Sequence, residues 1–212
     1  LFWANRFTKP TVLRNIYYKY SKKLMPLVHL PVQSGSNKIL KLMNRDHTIE
    51  EYLEIFNKLK TINSKIEFSS DFIIGFPGEE EQDFKDTLDL IKKIKFINSY
   101  SFIFSPRPGT VAANYKLINK IISQKRLEKV QNLLFENQIS INRSYENKIL
   151  DVMVENLTKD KKQMFGRSQH MTSVIFDGQK EDIGKILPVR IKKTNRTTLF
   201  GDIVNKSNKK VA

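Results

Sequence analysis

Cysteine is absent from the 212-residue sequence. The chain therefore forms no disulfide, and it offers no thiolate to zinc or to an iron–sulfur cluster. Long apolar runs are also missing, because no stretch approaches the roughly 18 residues of a membrane span and the first residues do not resemble a secretory signal. These absences predict a cytoplasmic protein that has no membrane partner.

Acidic residues are scarce, especially near the beginning of the sequence. Lys and Arg number 37 against 22 Asp and Glu, which gives a net charge of +15, and the first carboxylate is that of Asp46. A charge of this size favours a polyanionic partner, with nucleic acid ahead of an anionic membrane surface. A surface rich in Lys and Asn can also reflect genome composition, so charge alone leaves both interpretations open.

Strand-like and helical segments alternate between residues 27 and 144. The runs "PLVHLPV", "IEFSSDFIIGF" and "NSYSFIFS" predict buried strands, and each is followed by a turn and a helical pattern. Ser36 predicts a cap for the first helix, and Thr48 with Glu51 predicts a capping box for the second. Three strand–turn–helix repeats predict an α/β region with a parallel sheet or barrel. Residues 8–23 are a weaker candidate for a helix.

The spacing of apolar residues predicts a long amphipathic helix at residues 118–147. After this helix the spacing changes to one typical of short strands. The runs "ILDVMVENL", "QMFGRS", "TSVIFDG", "ILPVRIKKT" and "TTLFGDIV" are short, rich in β-branched residues and separated by turn signals. Five such strands predict a small all-β barrel of the oligonucleotide-binding kind. Residues 142–212 hold 15 Lys and Arg against 8 acids, which suits a surface for RNA phosphates.

The turn "GFPGEEE", residues 75–81, follows the second of the buried strands. A phosphate loop presents free N–H groups at a helix N-terminus, usually with a following Lys and Ser or Thr. Glu79, Glu80 and Glu81 are predicted to occupy that first turn, where they would repel a phosphate. Gly75 and Gly78 permit either a tight turn or a backbone that lies close to a flat ligand, and both interpretations stay open.

Three turns rich in Gly, Ser and Pro follow the predicted strands: "QSGS", "GFPGE" and "SPRPGT". Ligands of parallel α/β folds sit at the carboxyl ends of the strands, so these turns are predicted to border one pocket. Gln33 and Ser34 offer neutral hydrogen bonds, Asp71 can accept from a hydroxyl or an amine, and Arg107 can pair with a carboxylate. The structural alternatives are a loop hydrogen bond for Asp71 and a surface cation for Arg107.

Two further residues near these turns carry weaker signals. His29 lies in an apolar strand without a cluster of carboxylates nearby, which favours a structural histidine over a metal ligand or a catalytic base. Arg45 follows the first amphipathic helix and either points back towards the pocket or is solvated.

The segments "HLPVQSGSNKILKLMNRDHTIEEY", "DFIIGFPGEEEQDF", "FIFSPRPGT" and "GRSQHMTSVIFDG" together resemble the radical S-adenosylmethionine (SAM) methylthiotransferases. The resemblance is strongest to the branch that acts on dimethylallyladenosine in tRNA. It covers residues 27–204 and implies the 2-methylthiolation of this adenosine next to the anticodon by radical SAM chemistry. The alternatives are branches that act on threonylcarbamoyladenosine or on a ribosomal-protein aspartate, and a non-catalytic RNA-binding remnant.

The resemblance also implies a fold and a division into domains. The fold would be α/β followed by all-β: the C-terminal part of a radical SAM (partial TIM-like) α/β barrel, then a small five-stranded TRAM (OB-like) β-barrel that binds tRNA. The expected divisions are a divergent N-terminal segment 1–26, the partial barrel 27–144, the TRAM domain 145–206 and a basic tail 207–212.

Cofactors and site residues are implied in the same way. Family enzymes use SAM and two 4Fe–4S clusters, and the cluster-binding cysteines are absent here, so this chain alone is expected to be inactive and to need the missing N-terminal half. The resemblance assigns no catalytic or metal-ligating residue to this chain. The expected SAM-pocket residues are Gln33, Ser34, Arg45, Asp71, Gly75, Phe76, Pro77, Gly78 and Arg107. The expected RNA-binding residues are Arg167, Arg190, Lys192, Lys193 and Arg196.

Overall fold

The computed structural model describes residues 2–3 and 24–204, and the chain divides into two units, residues 1–137 and 138–212. The helix predicted at residues 8–23 and the tail predicted at residues 207–212 lie outside the described residues. So does most of the expected N-terminal segment 1–26. Among the described residues, no helix is long and apolar enough to cross a membrane.

Short strands and helices alternate in the first unit. The strands are β1 (Phe2–Trp3), β2 (Leu27–His29), β3 (Glu67–Ser69), β4 (Asp71–Ile74) and β5 (Tyr100–Ile103). The helices are α1 (Asn37–Leu42), α2 (Ile49–Ile62) and α3 (Glu81–Ile94), with a 3-10 turn at Val111–Asn114. Helix α4 (Lys120–Arg143) begins in this unit and ends in the second.

The strands of the first unit are all parallel. β2 pairs with β1 and β3, and β4 pairs with β5. Ser70 lies between β3 and β4, where its hydroxyl accepts from the N–H of Val32 at 2.9 Å and donates to the carbonyl of Leu30 at 2.9 Å. The strands thus follow chain order, with helices between β2 and β3 and between β4 and β5, in agreement with the predicted α/β region.

One face of these strands forms the core of the first unit. Val28, Phe68 and Phe72 are buried there, and α2 and α3 cover them with residues that include Leu59 and Ile91. The apolar stripes that predicted these helices therefore supply the burial that stabilises them.

The predicted helix starts are confirmed. The Ser36 hydroxyl accepts from the N–H of Ile39 at 3.3 Å, and Thr48 and Glu51 form the reciprocal bonds of a capping box. The long helix is shorter than predicted. It ends at Arg143, and the chain then turns through Asn147, whose φ of 64° is incompatible with a continuing helix.

Five strands close a barrel in the second unit, which confirms the predicted all-β region. The strands are β6 (Ile149–Leu157), β7 (Met164–Ser168), β8 (Ser173–Asp177), β9 (Ile186–Thr194) and β10 (Thr198–Ile203). They lie in the order β10-β8-β7-β6-β9, with β9 paired to β10. Alternate side chains such as Val152, Val174 and Leu199 fill the interior.

We expect the Gly35→Ala variant to destabilise the first unit. The Gly35 N–H donates to the Thr87 hydroxyl at 2.9 Å, and an added Cβ would lie 2.5 Å from both the Thr87 Cα and the Asp86 carbonyl oxygen. Because both obstacles are backbone atoms of α3, the turn would have to move away, at a cost of about 1–3 kcal/mol. Chemical denaturation followed by circular dichroism measures this loss.

The matched control is Ser64→Ala at an exposed position between α2 and β3. It should change the free energy of unfolding by less than about 0.5 kcal/mol. Equal denaturation midpoints for the two variants would contradict the close packing of this turn.

Candidate functional site

A cleft of about 850 Å³ lies at the carboxyl ends of β2, β4 and β5. The loop after each strand contributes to its wall: Gln33 follows β2, Phe76 follows β4, and Arg107 follows β5. Arg45, beyond the end of α1, adds a fourth side chain. The structure therefore brings four of the nine expected SAM-pocket residues to one cleft. Besides Phe76, its apolar lining consists of Leu42, Met43, Ile73, Phe102, Ile103, Phe104, Val111 and Ala112.

Gln33 is held in an uncommon backbone conformation, with φ at 74°. Its N–H donates to the Asp71 carbonyl at 2.9 Å, and its own carbonyl accepts from the N–H of Ile73 at 2.9 Å. These bonds continue the sheet by one parallel bridge between Gln33 and Phe72. A polar residue held at positive φ in a cleft is typical of a ligand-contacting position.

The charged groups of the cleft are both cations. Arg45 is half-buried and Arg107 is exposed, and no residue that lines the cleft carries a carboxylate. The carbonyl of Arg107 accepts from the Thr110 hydroxyl at 2.8 Å, which closes the loop that carries it. Guanidinium groups favour carboxylates and phosphates, so the cleft favours a ligand with an anionic group and an aromatic or apolar body.

Two of the expected site residues, Ser34 and Asp71, do not line the cleft. The buried Ser34 hydroxyl accepts from the N–H of Ser36 at 3.2 Å and lies 3.4 Å from the Thr87 hydroxyl. The Asp71 carboxylate lies 3.3 Å from Nε2 of His29, whose Nδ1 lies 3.0 Å from the Ser69 hydroxyl. Ser34 therefore shapes its turn, and Asp71 belongs to a polar cluster on the strands.

The Gly-Pro-Gly turn places a ring rather than a phosphate-binding backbone at the cleft. Gly75 and Gly78 have φ of 72° and 88°, values that a glycine adopts without strain. Pro77 is buried between them. The ring of Phe76 lies in the cleft wall, edge-on to Phe104 with centroids 4.7 Å apart. Gly75, Pro77 and Gly78 thus act by shaping the turn.

The acids behind this turn do not lie where the sequence predicts. Only Glu81 is within helix α3; Glu80 occupies the cap position, and Glu79 precedes it. The Glu79 side chain is 1% exposed, and its carboxylate accepts from Arg126 at 2.8 Å and from the Gly75 N–H at 3.2 Å. It therefore anchors the turn instead of neutralising the helix dipole.

Arg126 is a structural residue that the sequence analysis missed. It reaches from α4 to donate to the Glu79 carboxylate and to the Glu79 carbonyl at 3.1 Å, and it contacts Glu81 at 3.1 Å. Its guanidinium carbon lies 5.3 Å from the centroid of Phe84. No sequence signal distinguishes Arg126 from the other basic residues of α4, because its partners lie about 45 residues away.

Four of the five expected RNA-binding cations lie on β9 or in the turn after it, and the fifth lies on β7. Arg190 and Lys192 lie on β9, where Lys192 forms an ion pair with Asp202 of β10. Lys193 and Arg196 are exposed at the end of β9 and in the turn after it. Arg167 lies apart from them on β7, 3.6 Å from Glu155.

The Arg126→Met variant should lose about 3 kcal/mol of stability at neutral pH. Burial raises the pKa of Glu79 above the 4.5 of an exposed glutamate, and Arg126 opposes that rise. Without Arg126 the pKa rises further, so folding increasingly favours the protonated carboxyl. The destabilisation should therefore be smallest below pH 4.5 and grow as the pH rises through the folded-state pKa.

Denaturant titrations of the unsubstituted chain and of Arg126→Met at pH 5 and pH 7.5 test how the loss of stability depends on pH. Arg143→Met, at an exposed position on the same helix, is the matched control and should be nearly neutral at both values. A loss for Arg126→Met that does not vary with pH would show that the guanidinium does not act through Glu79.

Two parts of the chain match known families. Residues 7–91 match the model of the Radical SAM superfamily, and residues 143–204 match that of the TRAM domain. The chain is 66% identical over 195 residues to the tRNA-2-methylthio-N(6)-dimethylallyladenosine synthase of Pelagibacter ubique, covering 92% of this chain and 44% of that protein. It is 44% identical over 182 residues to the synthase of the same name from Wolbachia pipientis wMel, covering 84% of this chain and 42% of that protein.

A third relative of the same name, from Bartonella henselae, is 42% identical over 183 residues, covering 86% of this chain and 40% of that protein. The chain thus spans less than half the length of these curated relatives. The two domain matches and the relatives agree with the ordered motifs from "HLPVQSGS" to "GRSQHMTSVIFDG". The chain therefore contains a region of the Radical SAM superfamily and a TRAM domain, and over most of its length it is similar to proteins named tRNA-2-methylthio-N(6)-dimethylallyladenosine synthase.

Proposed function

We propose that this chain is part of an enzyme that adds a methylthio group to dimethylallyladenosine next to the anticodon of tRNA, with SAM as cofactor. The observation that carries the proposal is the cleft in which Gln33, Arg45, Phe76 and Arg107 converge from four separate segments. Relatives that share up to 66% of the aligned residues bear the name of this activity. A cytoplasmic location follows from the tRNA substrate.

The cleft suits SAM in size and chemistry. Its volume of about 850 Å³ lies within the range of small-molecule sites. The Phe76 and Phe104 rings offer an apolar wall to an adenine, and the Gln33 amide offers a donor and an acceptor. Arg45 and Arg107 would bind the carboxylate of the methionine end. Bound there, SAM would supply the radical and the methyl chemistry of the family.

The remaining expected site residues would act on the shape of the pocket. Ser34 stabilises the turn that presents Gln33, and the Gly75–Gly78 turn presents Phe76. The Asp71 carboxylate, next to His29, would stabilise the strands that carry the cleft loops. Each of these roles is positional, because none of these side chains lines the cleft.

The iron–sulfur clusters of the family do not fit this chain. It contains no cysteine, and the described residues hold no group of three or more His, Asp or Glu that could bind a metal ion. We propose that the cluster ligands belong to the part of the relatives that this chain does not span. The parallel strands β2 to β5, added in chain order, would then complete a partial TIM-like barrel with strands from that part.

A non-catalytic RNA-binding protein is the second candidate function. The observation that favours it is the combination of a closed basic barrel with a sequence that lacks cysteine. Such a protein would keep the first unit as a scaffold and would bind tRNA without affinity for SAM. Binding of SAM therefore separates the two candidates.

Isothermal titration of the 212-residue chain with SAM tests the cofactor proposal directly. Arg45→Gln and Arg107→Gln should each weaken binding about tenfold or more, since each removes a charge-assisted hydrogen bond worth about 1.5–3 kcal/mol. Arg143→Gln, an exposed arginine outside the cleft, should bind as the unsubstituted chain does. Absence of SAM binding by the unsubstituted chain would favour the non-catalytic candidate.

Binding of tRNA should depend steeply on salt. If the barrel contacts three or four phosphates, the logarithm of the association constant should fall with the logarithm of salt concentration with a slope of about −2 to −4. Lys193→Gln should reduce that slope by about one, whereas Lys85→Gln on α3 should leave it unchanged. Filter binding between 50 and 200 mM salt measures the slope, and a flat response would refute a phosphate-binding barrel.

A further inference from the structure

One outer face of the β-barrel carries two aromatic side chains in a row with an isoleucine between them. Phe165, Ile175 and Phe200 stand opposite one another on the neighbouring strands β7, β8 and β10. The apolar residues next to them in the chain, Met164, Val174, Phe176 and Leu199, are buried in the barrel interior. The strand alternation therefore directs these three outward. All three are half-buried. Phe165, Ile175 and Phe200 are called the aromatic row.

A cation stands at each end of the aromatic row. Lys193 of β9 lies opposite Phe200, and its side chain is exposed. Arg167, two residues along β7, holds its guanidinium carbon 5.5 Å from the centroid of Phe165. The same guanidinium donates to the Met171 carbonyl at 3.0 Å, which fixes its position beside the ring.

Two basic turns border the row at opposite ends of its strands. The turn between β9 and β10 carries Arg196, and it is held by the buried Asn142, whose amide donates to the carbonyls of Asn195 at 2.9 Å and Arg196 at 3.0 Å. The turn between β6 and β7 has one acid, Asp160, whose carboxylate accepts from the Thr158 hydroxyl within the turn. Its exposed lysines are Lys159, Lys161 and Lys162.

We propose that the aromatic row stacks unpaired bases of the tRNA while Arg167, Lys193 and the two basic turns bind the neighbouring phosphates. The inference rests on the proposed function, because it takes tRNA as the partner. Small five-stranded barrels bind oligonucleotides with the face of their second and third strands and the loops beside it, and here those strands are β7 and β8. Rings that stack bases and cations that hold phosphates are complementary to a single-stranded segment of RNA.

The remaining expected RNA-binding cations, Arg190 and Lys192, lie beside a carboxylate. Lys192 forms an ion pair with Asp202, and Arg190 stands directly opposite Asp202 in the β9–β10 register. The carboxylate lowers the positive potential around both. Arg190 and Lys192 should therefore contribute less to RNA binding than Lys193.

The test uses the 212-residue chain and two probes: a tRNA anticodon stem-loop, and an unpaired oligoribonucleotide that contains 2-aminopurine. Phe165→Leu and Phe200→Leu keep an apolar side chain but remove the ring. Each should weaken binding of both probes about tenfold and relieve most of the quenching of 2-aminopurine fluorescence. Phe200→Tyr restores a ring and should bind within about threefold of the unsubstituted chain.

Three controls show whether a loss of binding comes from the rings of this face. Phe135→Leu, a partly exposed phenylalanine on α4, should leave both readouts unchanged, and Lys192→Gln should weaken binding less than Lys193→Gln does. Thermal melts of all variants identify any loss of binding that comes from unfolding. If the leucine variants have lower melting temperatures, the affinity of Phe200→Tyr, which keeps a ring, tests the role of the ring instead.

The outcomes distinguish this inference from the proposed function. Unchanged affinity and quenching in the folded leucine variants, with a large loss of affinity for Lys192→Gln, would overturn the proposal that the aromatic row stacks bases. Binding of tRNA by the chain would still be supported. Failure of the unsubstituted chain to bind either probe would overturn the tRNA partner and this inference together. Loss of quenching in the leucine variants with recovery in Phe200→Tyr supports the aromatic row.

Discussion

The cleft depends on the parallel pairing of the strands in the first unit. Parallel strands bring their carboxyl ends to the same edge, so loops that are distant in sequence meet there. Beyond the end of β2, the pairing with β4 continues as a single parallel bridge between Gln33 and Phe72. If this pairing were lost, Gln33, Phe76 and Arg107 would no longer share a wall, whatever their individual conformations.

Two buried polar anchors keep the loops at that edge in place. One joins the turn at Gly35 to α3 through Thr87, and the other joins the turn at Gly75 to α4 through Glu79 and Arg126. Each anchor satisfies backbone N–H groups that a tight turn would otherwise leave unpaired. The loops that present ligand-contacting groups are thus held by residues that do not line the cleft themselves.

The barrel of the second unit follows a different constraint. Its strands alternate between a buried side chain and an outward one, so filling the interior also determines which residues form each outer face. The row of Phe165, Ile175 and Phe200 arises in this way from three strands that are not all consecutive in sequence. The same register places Asp202 beside Arg190, so that a carboxylate lies next to one of the expected RNA-binding cations.

Local patterns in the sequence were sufficient to determine the α/β region, the five-stranded barrel, the helix caps at Ser36 and Thr48, and the turns that border the cleft, because these depend on neighbouring residues. Family motifs placed Arg45 and Phe76 at a pocket. Only the tertiary structure decided that Glu79 is buried against Arg126, and which barrel cations stand beside a carboxylate. Those arrangements depend on strand register and on contacts between residues far apart in the chain, which no local period encodes.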